Sequence, residues 1–360
     1  MAFVTSCKGS DTPIVPDVSV KEKSIVIIEY VSRDFTLEIN ANIPIVFDLP
    51  AWIKEKDGNT PATGKKTYSF QADALPEGEK TRTGNLTVKS TNTDFGVSIE
   101  IPVKQSSEIC ILRIASYNMY YLEWSSRATM VNALIRKYDF DIIGTQETYY
   151  SQHIRSITGD GTYGYTGIGR DNIQTSEHVA IIYKKERFDL LNSGNFWFSE
   201  TPDVPSYGWG ATTRRICTWG KFKDVVSGCE FFVFNSHFDH AGSSSTARVE
   251  SAKLLLKKIK EIAGDLPVFA TGDLNCQPNS EPVQIILNDG LLGDARELSK
   301  KTPEGPEGTF TNFNTAQSKS RIDFIFVTKN IQVNEYRVID DRPNDQFPSD
   351  HDPVLVIAEF

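Results

Sequence analysis

The sequence has no apolar run approaching the ~20 residues that a membrane-spanning helix needs. It also has no Cys-x-x-Cys spacing. Its five cysteines, Cys7, Cys110, Cys217, Cys229 and Cys276, are scattered, which argues against a thiolate zinc site and leaves all but Cys7 as reduced, packed thiols. A basic excess is missing as well. Residues 1–109 hold 12 Lys and Arg against 15 Asp and Glu, the remainder holds 26 against 32, and the formal net charge is -9. A general polyanion binder carries a positive surface. No stable nucleic-acid complex is therefore expected, although a local basic pocket remains compatible with this balance.

With 39% hydrophobic and 24% charged residues over 360 positions, the composition is that of a globular chain long enough for two domains. Residues 17–105 show short alternating segments, Ser24–Tyr30, Phe35–Asn40, Ile43–Phe47, Lys66–Ala72, Gly84–Val88 and Gly96–Val103, between turn signals such as Asp57-Gly58 and Pro76-Glu77-Gly78. No helical period interrupts them, which predicts a small all-β sandwich. Residues 106–110 form a polar joint, and from 111 to 360 strands alternate with helices. Ser126–Tyr138, Ala247–Ile262 and Pro282–Asn288 have helical spacing. Strands are expected at Ile109–Ser116, Phe140–Gly144, Val179–Tyr183, Glu230–Asn235, Val268–Ala270, Ile322–Val327 and Val354–Glu359. This is one α/β domain.

The stretch Thr271-Gly272-Asp273-Leu274-Asn275 sets a carboxylate and a carboxamide at i and i+2, on one face if the segment is extended. By itself Gly-Asp-x-Asn is an ordinary turn. Polar groups recur, however, at most of the neighbouring strand ends. Asn118, Glu147, His237 and Asp273 lie at C-terminal ends, whereas Asp323 and Asp350-His351 begin the last two strands. They meet on one edge only if those last strands run antiparallel to the earlier ones, so a mixed sheet is expected.

Ser116-Tyr117-Asn118, Thr145-Gln146-Glu147, Asn235-Ser236-His237-Phe238-Asp239-His240, Gly272-Asp273-Leu274-Asn275, Arg321-Ile322-Asp323 and Ser349-Asp350-His351 together resemble the endonuclease/exonuclease/phosphatase (DNase I-like) superfamily. The resemblance implies an α/β four-layer sandwich with two mixed β-sheets. It also implies divalent-metal hydrolysis of a phosphate mono- or diester, with Mg²⁺ (or Mn²⁺ or Ca²⁺) as cofactor. In that reading Glu147, Asn118 and Asp350 hold the metal, whose hardness suits oxygen ligands. Asp273 orients and deprotonates water, Asn275 assists, and His237 and His351 donate to phosphoryl oxygens. Asp323 partners His351. Glu177 is the candidate partner of His237, or a solvated loop residue.

Arg215 is a candidate phosphate clamp, suited by its planar fork, or one of two solvated turn arginines with Arg214. His240 is placed near the cleft. Trp209 and Tyr207, in a Pro- and Gly-rich loop, line the mouth or pack the loop. The expected substrate is a small-molecule, glycan-linked or lipid head-group phosphate, with a secreted nuclease as the alternative and a non-catalytic glycan-binding surface protein behind it. The expected state is monomeric.

The N-terminal motifs Asn40-Ala41-Asn42, Leu49-Pro50-Ala51-Trp52-Ile53, Tyr68-Ser69-Phe70, Arg82-Thr83-Gly84-Asn85-Leu86 and Val103-Lys104-Gln105 resemble the BACON module. That resemblance implies glycan contact or, as the preferred reading, a spacer with Trp52 as core filler. Residues 1–16 read as a tether. Within it Val4-Thr5-Ser6-Cys7 is similar to a bacterial lipobox, preceded only by Met1-Ala2-Phe3. Either a signal has lost its start and Cys7 is a lipid anchor, implying the cell envelope, or the match is chance.

Overall fold

A computed structural model of the chain describes residues 15–27, 32–56, 58, 62–76, 79, 81–106, 109–225, 227–314 and 319–360. Cys7 with most of the tether, the end of the Ser24–Tyr30 segment and the Ser107-Glu108 joint lie outside the described residues. The chain divides into Met1–Glu108 and Ile109–Phe360.

The first unit is all β. Its strands are β1 (Val18–Val20), β2 (Ile25–Ile27), β3 (Arg33–Ala41), β4 (Ile45–Asp48), β5 (Ile53–Glu55), β6 (Gly64–Ala72), β7 (Thr81–Ser90) and β8 (Ser98–Ser106). They form two four-stranded sheets, β1-β3-β6-β5 and β2-β8-β7-β4. Alternation accounts for the core: Leu37, Ile39 and Ala41 point inward from β3, and meet Tyr68, Phe70, Leu86, Val88, Ile101 and Val103. Trp52 is half-buried, with the Arg82 guanidinium 4.3 Å over its ring, so it packs rather than presenting an open face.

The second unit holds strands β9 (Ile111–Asn118), β10 (Ile142–Gln146), β11 (Tyr163–Thr166), β12 (Ile181–Lys184), β13 (Phe188–Trp197), β14 (Ile216–Asp224), β15 (Glu230–His237), β16 (Val268–Asp273), β17 (Leu292–Asp294), β18 (Asp323–Thr328), β19 (Gln332–Val338) and β20 (Val354–Glu359). Its helices are α1 (Trp124–Tyr138), α2 (Arg155–Thr158), α3 (Ser245–Ala263), α4 (Glu281–Asn288) and α5 (Ala295–Leu298). Two six-stranded sheets result, β11-β12-β10-β9-β20-β19 and β13-β14-β15-β16-β18-β17. Both are mixed. β9 with β10 and β15 with β16 are parallel, whereas β18 runs antiparallel to β16 and β20 antiparallel to β9.

The layers follow from three apolar clusters. One joins the inner faces of the sheets through Leu112, Ile114, Phe231, Val233, Phe269, Ile325, Val327, Val354 and Val356. A second seats α3 and α4 on the outside of one sheet, through Leu255, Ile259, Val283 and Ile286 against Phe232, Phe234 and Ala270. A third seats α1 on the other, through Val131, Leu134 and Ile135 against Ala115, Tyr117 and Ile143. This is the expected helix–sheet–sheet–helix sandwich. The short strands β11, β17 and β19 and the long β13 had no clear period in the sequence. Among the described residues no helix is long and apolar enough to cross a membrane.

Candidate active site at one end of the inter-sheet core

Simple alternation delivers the polar groups. In β15, Phe231 and Val233 enter the inter-sheet core while Phe232 and Phe234 face α3, so Asn235 and His237 continue the inner side. The same count puts Asn118 after Leu112 and Ile114, Gln146 after Ile142, and Asp273 after Phe269. It also puts Asp323 before Ile325 and Val327. The site is thus the polar end of the face that forms the core. Register sets the residues in a row: Gln146 lies opposite Asn118, His237 opposite Asp273, and Asp273 opposite Asp323. The carboxylates at 273 and 323 therefore share an edge, as the mixed-sheet expectation required.

A buried polar layer separates this row from the apolar core. The Gln146 and Thr271 side chains donate to Asn235 Oδ1 at 2.7 and 3.0 Å, and Asn235 Nδ2 donates to the Thr145 and Ala180 carbonyls at 2.8 and 2.9 Å. Gly144 is required there: a Cβ would overlap Thr271 Oγ1 and lie 2.7 Å from Asn235 Oδ1. Gln146 and Asn235 stood inside recognisable motifs in the sequence, but their bonding across the sheets did not show.

Asp273 is the centre. Its Oδ1 accepts the Asn275 N–H at 2.9 Å, and its Oδ2 accepts Asn118 Nδ2 at 3.0 Å. His237 Nε2 and His351 Nε2 stand 3.5 and 3.9 Å from Oδ2. Both distances exceed a good hydrogen bond, which leaves each imidazole edge open to an inserted oxygen. The opposite nitrogen of each ring is backed by its own carboxylate: Glu177 Oε1 is 3.3 Å from His237 Nδ1, and Asp323 Oδ2 is 2.8 Å from His351 Nδ1.

Burial alone would lower the His351 pKa, but Asp323, Asp273 and Asp350 outweigh it and hold it up near 10, so this ring is an imidazolium at neutral pH. The shift contributes stability that is full below the unfolded value of 6.5 and is lost as the pH rises through about 10. Burial alone would raise Glu177. His237, Arg215 and Arg170 instead hold it at about 2, with Arg170 Nη1 2.7 Å from its Oε2. Its stabilising contribution is full above the unfolded value of 4.5 and disappears as the pH falls through about 2. The solvated-loop alternative for Glu177 is thereby set aside.

Three expectations gain detail. Asn275 does not share an extended face with Asp273, because β16 stops at Asp273 and Asn275 takes a left-handed φ of 50°. It touches Asp273 through its backbone, while its Nδ2 donates to the Phe238 carbonyl at 3.1 Å. Asn118 is held at both ends of its amide, with one lone pair of its oxygen left over. That oxygen accepts the Tyr120 N–H at 3.1 Å, and its Nδ2 bridges Asp273 and Glu147 Oε1. Trp209 packs on the cluster under α3 and α4, which is the packed-loop alternative.

Glu147 and Asp350 are the carboxylates left over. Asp350 is buried, which pushes its pKa up to about 6, and the nearby Glu147 charge adds to the rise against the pull of His351. Two repelling carboxylates, one forced toward protonation, suit a hard cation. Asp273, Asp323 and His351 also bring ligand atoms within 4.8 Å of one another, with His351 Nδ1 2.8 Å from Asp323 Oδ2 and Asp273 Oδ2 accepting from Asn118. Glu147 and Asp350 form an oxygen-only pair, which suits a hard divalent cation.

On the other flank Arg215 is buried beside Glu177, its Nη2 2.9 Å from His240 Nδ1 and its buried Nε without a partner. Arg214 is engaged by Asp171 at 2.9 Å and lies over the exposed Tyr207 ring. Sequence reasoning missed Asp239, which accepts the Thr212, Thr213 and Ala241 N–H groups and so pins the loop leading to Arg215. It missed Thr309, whose Oγ1 accepts the N–H groups of Ile322 and Asp323. It also missed Arg127, whose buried guanidinium serves the carbonyls of Met119, Tyr120, Leu122 and Pro348.

Residues 115–351 match the model of the Endonuclease/Exonuclease/phosphatase family, two thirds of the chain. The chain belongs to that family. A family protein of known structure from Bacteroides thetaiotaomicron is 39% identical, with a TM-score of 0.66, over 70% of this chain and 98% of its own. A mannosyl-6-phosphatase from the same species is 38% identical, with a TM-score of 0.65, over 69% of this chain and 100% of its own. An uncharacterised protein of Acanthamoeba polyphaga mimivirus is 26% identical over 258 residues, 66% of this chain and 92% of its own. Family membership makes the second unit a phosphoester hydrolase, and the residues converging on Asp273 lie within or beside the matched span.

Proposed function

We propose that residues 109–360 hydrolyse a phosphate monoester carried on a sugar, by in-line attack of water, with a divalent cation held by Glu147 and Asp350. The observation that carries this reading is the pair of buried imidazoles, each backed by a carboxylate, facing Asp273 across gaps of 3.5 and 3.9 Å. Asp273 orients the water and takes its proton. A carboxylate is a weak base at neutral pH, so position supplies much of the effect. The His237 and His351 edges donate to the non-bridging oxygens, and Arg215 adds positive charge on the Glu177 side. Asn118 holds Glu147 and Asp273 in register. When bound, the cation neutralises charge on a phosphoryl oxygen and on the leaving oxygen.

Three features support a sugar monoester. The acidic balance disfavours polynucleotides, and a neighbour of 38% identity is named a mannosyl-6-phosphatase. An aromatic rim also rises from the segments bearing Asn118 and Glu147 and from the 309–314 loop, whose Thr311 and Asn312 N–H groups donate to the Asp350 carbonyl. In it Tyr120 meets Phe313 at 4.9 Å and Tyr121 at 5.7 Å, and Tyr121 meets Tyr149 at 6.3 Å. Tyr121 and Phe313 are 42% and 38% exposed, offering ring faces to an apolar sugar surface. We read the N-terminal sandwich as a BACON-like spacer, since Arg82 already covers the Trp52 ring.

The test is hydrolysis of hexose 6-phosphates (read as phosphate released), bis-para-nitrophenyl phosphate (read as para-nitrophenol) and single-stranded RNA (read as shortened products), with Mg²⁺ and with EDTA. Mg²⁺-dependent release from the hexose phosphates is expected. Undiminished turnover in EDTA, or a preference for RNA, would sink the proposal.

Asp350 makes a further prediction. A cation must displace the proton that the raised pKa favours, so affinity for Mg²⁺ should fall about tenfold per pH unit below pH 6. Calorimetric titration of the wild type should show this slope. Asp350→Asn should bind weakly and lack it.

A further inference from the structure

At the end of the inter-sheet core opposite the site, two cysteines from different sheets meet. Cys110 immediately precedes β9 and exchanges backbone hydrogen bonds with Phe360, both 3.2 Å. Cys229 lies in the turn between β14 and β15, where its carbonyl accepts the Asp224 N–H at 3.0 Å. Cys229 packs against the apolar cluster that holds Cys110, the two side chains near enough to interact, and the Cys110 S–H donates to Asp224 Oδ2 at 3.4 Å. Cys110 is fully buried and Cys229 partly open to solvent.

We propose that Cys110 and Cys229 form a disulfide when the protein meets a small-molecule disulfide such as oxidised glutathione, stapling the first sheet to the second. Contact between the two side chains is the condition that bridging geometry demands. The more accessible Cys229 begins the exchange. Contact with Cys110 lowers its thiol pKa against the opposing effect of burial, which favours the attacking thiolate. Its sulfur attacks the oxidant, whose S–S bond breaks and releases one thiol. Cys110 sulfur then displaces the second thiol, losing its proton by way of Asp224. Two protein thiols are oxidised and one external disulfide is reduced to two thiols. Asp224 stays paired afterwards, with Arg187 Nη2 at 3.3 Å and Ser227 Oγ at 3.2 Å. Cys217 and Cys276 are both buried, with thiols pushed up to about 12 and about 11, and take no part.

The test treats the full chain with excess oxidised glutathione, followed by non-reducing digestion, mass spectrometry and thermal melting. The expected product is a peptide pair joined through residues 110 and 229, lighter by two hydrogens. Closing so long a loop should raise Tm by roughly 10 °C, reversed by dithiothreitol and missing in Cys229→Ser. Phosphate turnover should be the same in both proteins, since the pair is remote from Asp273. Two free thiols after treatment, a glutathione adduct retained on Cys229, or a linked protein whose Tm does not move would each overturn the proposal.

Discussion

Asp273→Asn should lower kcat for phosphate release by about 10⁴-fold, the upper end of what a positioned base contributes. The amide is the same size, but the groups that contact the Asp273 oxygens are all donors: the Asn275 N–H, Asn118 Nδ2 and the two imidazole edges. An NH₂ group must therefore face one of them. The change also removes one of the charges that keep His351 protonated, so proton acceptance and oxyanion donation weaken together. His351→Ala should cost nearly as much alone, and the double variant little more than either single one, because the residues act as a unit. Circular dichroism and Tm should show the fold retained. A kcat within tenfold of wild type would remove Asp273 from the chemistry.

Gly144→Ala should cost about 4 kcal/mol of stability, the scale of overpacking combined with a broken buried polar network. The added methyl overlaps Thr271 Oγ1 and crowds Asn235. It would drive apart the sheets where Asn235 holds Gln146, Thr271 and two backbone carbonyls at once. Tm should fall by roughly 10 °C, and adding Thr271→Ala should recover part of the loss by relieving the worst overlap. A loss under about 1 kcal/mol would mean the sheets are not spaced as described.

Much of this was legible in the sequence, for particular reasons. The strands that end in Asn118, His237 and Asp273 are dense apolar runs stopped by a polar residue, and that stop is visible without a structure. Their C-terminal boundaries fell short by two or three residues because Tyr117, Ser236 and Thr271 look like the start of a loop, yet continue the pleat. The antiparallel sense of β18 and β20 could be inferred only by requiring Asp323 and His351 to join the others. Local signals failed where long-range bonds decide. Thr309 and Arg127 sit in unremarkable contexts and matter through partners far along the chain. Asn118 carries an amide oxygen that could serve a metal, and the sequence does not show that the Tyr120 N–H already takes one of its two lone pairs.

The place of β20 has a consequence for how the enzyme comes into being. β20 pairs on one side with β9, the first strand of its unit, and on the other with β19. A chain emerging during synthesis cannot complete its first sheet until residues some 240 positions apart have met, and contacts of that reach are slow to form. His351, directly before this strand, therefore arrives last. Synthesis and activity are ordered in time: a partly made chain stopping short of residue 350 can present Asp273 but cannot complete the site around it.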